Sequence, residues 1–253
     1  MRTIIVLQHD AQSPPALIGE YLRDAGFALD LRRLDAGEAP PDSNEIGRAV
    51  ALIALGLDAG VGDSRVRPDA VAGDGGDAPT VTAGDPAAPD LVAPLADALA
   101  LGLPTLAVGS GAQRLVLAGG GDLYERAELD LGWEPIEFAA RDELVRGVDP
   151  QPLVFSWRTH VCRLPDGAVL LADSAAEPQI FRVGEVAWGI VFHPEIDKPL
   201  LRAWLDLGAD LIDGGPEGLA RLRRMSRREL LRSAMLCGEL MANFLTLARV
   251  REP

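Results

Sequence analysis

The chain has 253 residues, 48% of them apolar and 25% charged, enough to bury a core in one large domain or two small ones. Lysine and arginine total 24 against 38 aspartates and glutamates, a formal charge of −14. This acidity argues against nucleic acid and anionic membrane surfaces as partners, because both repel a negative protein. Cys162 and Cys237 form no CxxC pair and no ligand spacing with the three histidines. No metal or other cofactor is therefore expected. Two buried thiols in a reducing cytosol are expected, with a single disulfide left open. The apolar run at the N-terminus is too short for a signal-peptide core, and no stretch approaches the ~20 apolar residues that span a bilayer. The expectation is a soluble, cytoplasmic protein.

In chain order, Thr3 to Leu7 reads as a buried parallel strand, short and β-branched. Ser13-Pro14 reads as a helix start, with Leu17, Ile18, Tyr21, Leu22 and Ala25 on one face and Gly26 at the end. Strands follow near Ala28 to Leu34 and Ala49 to Leu55, and this strand–helix–strand spacing is that of a doubly wound sheet. Residues 57–90 hold six Gly, four Pro, seven Asp and seven Ala with no aromatic residue, which reads as a low-complexity loop. A helix resumes at Asp90 and closes at Gly102, with Pro94 expected in its first turn.

Pro104 to Val108 is a further short strand, running directly into a helix from Gly109 that ends at Gly119-Gly120-Gly121. Such a strand-to-helix turn is where α/β enzymes mount a nucleophile or bind an anion. Between 122 and 192 the pattern is strand-rich: Pro135 to Phe138, Leu153 to Trp157, Ala168 to Ala172, Gln179 to Val183 and Val186 to Phe192. One helix is predicted from Pro199. A second is predicted from Ser226, with Glu229 completing a capping box. Six arginines crowd into 221–232, a local reversal of sign that suits a solvated helix or a docking surface for an acidic partner.

Two segments carry a resemblance to a known family. Leu103-Pro104-Thr105-Leu106-Ala107-Val108-Gly109-Ser110-Gly111-Ala112-Gln113 resembles the nucleophile elbow of the class I (triad) glutamine amidotransferases, usually written P-x-L-G-I-C-x-G-x-Q. Trp188-Gly189-Ile190-Val191-Phe192-His193-Pro194-Glu195 is similar to the family's W-G-V-Q-F-H-P-E. Leu164-Pro165-Asp166-Gly167 and Ala172-Asp173-Ser174 sit where the family has an L-P-x-G turn and an A-x-S segment. Leu7-Gln8-His9-Asp10 and Arg202-Ala203-Trp204-Leu205 resemble the stand-alone, GMP-synthase-like branch.

The resemblance implies a flavodoxin-like doubly wound α/β fold over 1–196, with a helical extension over 197–253 packed on the same domain. In the family a cysteine attacks the glutamine carboxamide, a histidine activates it and a glutamate holds the histidine's tautomer. Carried over, these roles fall to His193 and Glu195, with Gly56 at the oxyanion turn and Gly111 and Gln113 on the substrate side of the elbow. Aligning the motif on Gln113 places the nucleophile position on Gly109, which has no side chain. Ser110, one residue on, is the alternative nucleophile. Cys162 and a water activated by His193 are further alternatives.

Two more departures touch the expected site: Leu55-Gly56-Leu57 in place of a G-G-P turn, and Trp157-Arg158-Thr159-His160 in place of W-H-x-D. His9 lies where the first strand meets the expected ligand crevice and otherwise reads as a solvated loop residue, as does His160. The expectation is an amidotransferase-like protein without cysteine-dependent glutaminase activity, acting as a binding, regulatory or repurposed pathway component. Its expected partners are a glutamine-like small molecule or a synthetase. An active amidase with a substituted nucleophile, supplying ammonia to that synthetase, and a small-molecule sensor are the alternatives.

Overall fold

A computed structural model describes residues 2–57, 89–175 and 177–250. The first half is a series of strands and helices: β1 (Thr3–Gln8), α1 (Ala16–Asp24), β2 (Ala28–Arg33), α2 (Ser43–Arg48), β3 (Ala51–Gly56), α3 (Pro89–Leu101), β4 (Thr105–Gly109) and α4 (Ser110–Ala118). The second half is β5 (Asp122–Pro135), β6 (Glu137–Phe138), β7 (Leu153–Arg163), β8 (Val169–Ser174), β9 (Glu177–Val183), β10 (Ala187–Ile190), α5 (Lys198–Leu207) and α6 (Gly215–Val250). Eight strands form one sheet in the order β2-β1-β3-β4-β10-β9-β8-β6, while β5 and β7 pair as a separate ribbon. The first five strands of that order are parallel and the remaining three antiparallel. This is the 2-1-3-4-5 order of flavodoxin-like sheets, as expected.

Strands buried on both faces need apolar residues at successive positions. All six residues of β3 and all five of β4 are buried. Alternate side chains feed two cores: Ile4, Val6, Ile53 and Leu55 pack under α1 and α6, and Ile5, Leu7, Leu52 and Ala54 pack under α3 and α4. A third cluster joins Phe155 and Trp157 of β7 to Leu201, Trp204 and Leu205 of α5. Functional groups at the strand carboxyl ends thus rest on a rigid, dry platform.

Several boundaries differ from expectation, each for a local reason. Ser13 does not cap α1: the helix begins at Ala16 after Pro15, and the Ser13 hydroxyl bonds Asp10 instead. Pro94 is the sixth residue of α3, one turn deeper than expected. Pro135 to Phe138 is not one strand but the end of β5 and the start of β6, which belong to different sheets. Ser226 starts no helix. It lies inside α6, its hydroxyl bonded to the Leu222 carbonyl and accepting from the Trp133 indole N–H. Glu229 pairs with Arg232 instead of closing a capping box. A capping box is formed in α2, between Asp42 and Glu45, which the sequence reading missed. Most of the 57–90 segment, residues 58–88, lies outside the described residues.

By length and composition α6 also passes for a membrane-crossing helix. Yet Leu236, Leu240, Met241, Phe244 and Leu245 on it are buried in the α1-side core, and the Tyr21 hydroxyl of α1 bonds the Ala234 carbonyl. Cys162 and Cys237 are both buried, and neither is in a disulfide.

Candidate active site

β4 turns directly into α4 at Gly109, where the backbone adopts φ 60° and ψ −125°. A positive φ is costly for any residue with a Cβ, so a turn this sharp favours glycine. Gly109 pairs in register with Gly56 at the end of β3, so the two strand ends lie side by side. Gly111 is small for a different reason: a Cβ there would strike the Ala54 carbonyl, because α4 crosses β3 at close range. Ser110 and Gln113, on the first turns of α4, are 4% and 2% exposed.

His193 and Glu195 follow β10. The His193 N–H donates to the Phe155 carbonyl at 2.9 Å, which ties the segment to β7. The His193 Nδ1 lies 2.9 Å from Glu195 Oε1, and both side chains are essentially unexposed. A carboxylate only accepts, so this bond places a proton on Nδ1. The Trp204 ring stands edge-on to the imidazole at 4.6 Å, and its indole N–H donates to the Gln12 carbonyl. A histidine–carboxylate pair facing a strand-to-helix elbow is the arrangement of a nucleophilic amidase.

The elbow itself departs from that arrangement. A Cβ built on Gly109 would lie closer than 3.0 Å to the Gly56 carbonyl oxygen and to His193 Cε1, and 3.2 Å from His193 Nδ1. The imidazole therefore sits against the bare Gly109 backbone, in the space a side chain would take. The Ser110 hydroxyl points instead towards Gly56. Among the described residues Ser110 Oγ and His193 Nε2 each have no hydrogen-bond partner, so the serine is not paired with the imidazole. At the turn after β3, the Leu57 N–H donates to the Asp10 carboxylate at 2.8 Å.

The structure thus brings Gly56, Gly109, Ser110, His193 and Glu195 together at the strand carboxyl ends. His9 joins them, its N–H donating to the Leu55 carbonyl and its Cβ lying beside Gly56. It does not bring in His160, which pairs across the ribbon with Glu125, nor Cys162, which pairs with Leu123.

Two neighbouring features escaped the sequence reading. Cys237 on α6 is buried, and desolvation together with the Glu195 charge pushes its thiol pKa up. On β5 and β7, Arg158 is 2% exposed and pairs with Asp130, Glu134 and Glu177. Glu134 also accepts from the Ser156 and Ser174 hydroxyls and the Gln179 amide. Burial holds the Glu134 carboxyl above its ordinary range, although the two serine hydroxyls pull the other way. The Trp157-Arg158-Thr159-His160 departure had marked this region without revealing the cluster. Among the described residues no group of three or more His, Cys, Asp or Glu side chains is placed to hold a metal ion.

A flavodoxin-like sheet thus carries a buried histidine–glutamate pair opposite a strand-to-helix elbow. Solved structures with this architecture include a glutamine amidotransferase from Methylobacillus flagellatus (TM-score 0.79, 19% identity, 97% of this chain and 95% of that one) and one from Thermotoga maritima (TM-score 0.72, 20% identity, 99% of each). No family model matches the sequence. Curated relatives are GMP synthases (glutamine-hydrolyzing), such as that of Rhizobium johnstonii, 30% identical over 141 residues that cover 53% of this chain and 26% of that protein. That of Photorhabdus laumondii is 26% identical over 140 residues covering 51% and 26%. The chain thus spans about a quarter of the length of these relatives. It shares the fold of these glutamine amidotransferases, and about half of it is similar in sequence to part of the GMP synthases.

Proposed function

We propose that this chain is a glutamine amidotransferase homologue without thiol-dependent glutaminase activity, retained as a binding, regulatory or repurposed component beside a synthetase-type partner. The observation that carries the reading is the closure of the elbow. Gly109 offers no nucleophile, and the His193 ring and the Gly56 carbonyl leave no space for one. The acyl-enzyme route needs an attacking atom within hydrogen-bond reach of the base, and among the described residues His193 Nε2 has no partner. The oxyanion-binding turn is altered as well, since the Leu57 N–H is engaged by Asp10.

His193 and Glu195 then act as a buried hydrogen-bonded pair that ties the loop after β10 to β7 and α5. The test is direct. Purified protein incubated with glutamine should release no glutamate above the buffer rate, and a thiol-directed glutamine analogue should leave no adduct on the chain. Glutamate release that survives Ser110→Ala but is lost in His193→Ala would overturn the reading in favour of a water-based mechanism. Loss in both would favour the serine alternative.

A further inference from the structure

α5 and α6 leave a cavity of about 520 Å³ between them, lined by residues of these two helices alone. Its floor is apolar: Leu201 and Leu205 of α5, one turn apart, meet Leu230 of α6, and all three belong to the cluster that also holds Trp204. Its rims are cationic on both sides. Lys198 and Arg202 stand one turn apart on α5, and Arg223 and Arg227 one turn apart on α6. Asp206 is the one carboxylate on the lining, 2.6 Å from Arg223 and 3.9 Å from Arg202. Among the described residues Lys198 and Arg227 make no hydrogen bond or ion pair. None of Gly109, Ser110, His193 and Glu195 lines this cavity, so it is separate from the candidate active site.

We propose that the cavity binds an organic phosphate, a small molecule with a phosphate head on an apolar or aromatic body. Size, length and chemistry each select that occupant. Small-ligand sites measure about 300–1,000 Å³, and 520 Å³ falls inside that range. Each cationic pair spans only about 6 Å of its helix, which grips a phosphate but matches little more than one turn of a docking helix from another protein. Guanidinium forks bond phosphate oxygens in pairs, and cations on two facing helices meet one tetrahedral head from opposite sides. The three leucines offer apolar area that a bare inorganic anion would not cover, so the ligand carries a body as well as a head. Asp206 occupies Arg223 and repels an anion at its own end, so the head belongs beside Lys198 and Arg227. On a chain of net charge −14, four cations facing one carboxylate concentrate positive potential in this groove.

Naphthyl phosphate is the probe, followed by isothermal titration calorimetry of the full chain at low salt. For a ligand of this size one site per chain with a dissociation constant of roughly 0.1–1 mM is expected. Inorganic phosphate, naphthol and naphthoate, which each lack the body or the phosphate, should bind about tenfold more weakly or worse. Lys198→Ala and Arg227→Ala should each weaken naphthyl phosphate about tenfold, while Arg228→Ala, a cation on α6 outside the cavity, should leave it unchanged. All three side chains are exposed, so unchanged thermal unfolding of the variants checks that the fold is intact. Lys198 is the only lysine in the chain, so naphthyl phosphate should also slow its acylation by an amine-reactive reagent, read by peptide mass spectrometry.

No binding up to about 10 mM overturns the proposal. So does a loss in Arg228→Ala as large as that in Arg227→Ala, which would reduce the effect to diffuse surface charge. Inorganic phosphate or naphthoate bound as tightly as naphthyl phosphate, or Lys198 acylated at the same rate with the probe present, overturns it equally. None of these outcomes depends on glutamine chemistry.

Discussion

Replacing Gly109 by alanine measures whether the elbow has closed. Two costs add at this position. The first is backbone strain, since Gly109 has φ +60° and a Cβ in a left-handed conformation costs about 1–2 kcal/mol. The second is overlap with the Gly56 carbonyl oxygen and the His193 ring, and overpacking a filled site costs about 1–3 kcal/mol. Gly147 separates the two: its φ is +81° and a Cβ there meets nothing within 4 Å, so Gly147→Ala reports strain alone. Gly109→Ala should therefore lose about 2–5 kcal/mol and Gly147→Ala about 1–2 kcal/mol. At roughly 2–4 °C per kcal/mol for a chain of this size, the unfolding midpoint should fall by about 4–20 °C for Gly109→Ala.

Urea unfolding followed by tryptophan fluorescence reads both variants, because Trp204 stands against His193 and Trp157 against Trp204. Equal losses in the two would show open space at Gly109 and refute the closed elbow. By the same reasoning Gly109→Cys alone should not restore glutamine hydrolysis, since the thiol must displace a backbone carbonyl as well as the imidazole. Turnover in that variant would show a pocket intact in all but its sulfur.

Two other predictions test neighbouring features. The Glu134 carboxyl has a folded pKa raised above its unfolded value, so the folded state binds more protons and stability falls as pH rises through the folded pKa. Glu134→Gln should remove that dependence, and denaturant midpoints for the two proteins measured between about pH 4 and 8 should converge at the acid end and diverge at the alkaline end. Parallel curves would show that burial does not govern this carboxyl. Cys162 and Cys237 are 5% and 1% exposed, and burial raises the Cys237 thiol pKa, so a thiol reagent near pH 8 should label the native protein slowly and both cysteines promptly in denaturant. Rapid native labelling of Cys237 would contradict its placement on the buried face of α6.

The parallel half of the sheet was legible because its strands are apolar at nearly every position and punctuated by Gly26, Gly102 and Gly109, so composition alone marks where each element stops. The elbow and the His193–Glu195 pair were legible because each sits in one contiguous run of chain. What tertiary structure alone decided is non-local. Ser226 meets Trp133 across 93 residues, so an apparent helix cap is satisfied by a distant strand. Arg158 finds its three carboxylates on β5 and β9, and Cys237 finds Glu195 from the far end of the chain. Sequence spacing encodes local hydrogen bonding and periodicity, but a buried charge chooses its partners by distance after folding. The missing Cβ at Gly109 could be read from the sequence. That the imidazole and a carbonyl lie against the bare backbone required three-dimensional packing to reveal.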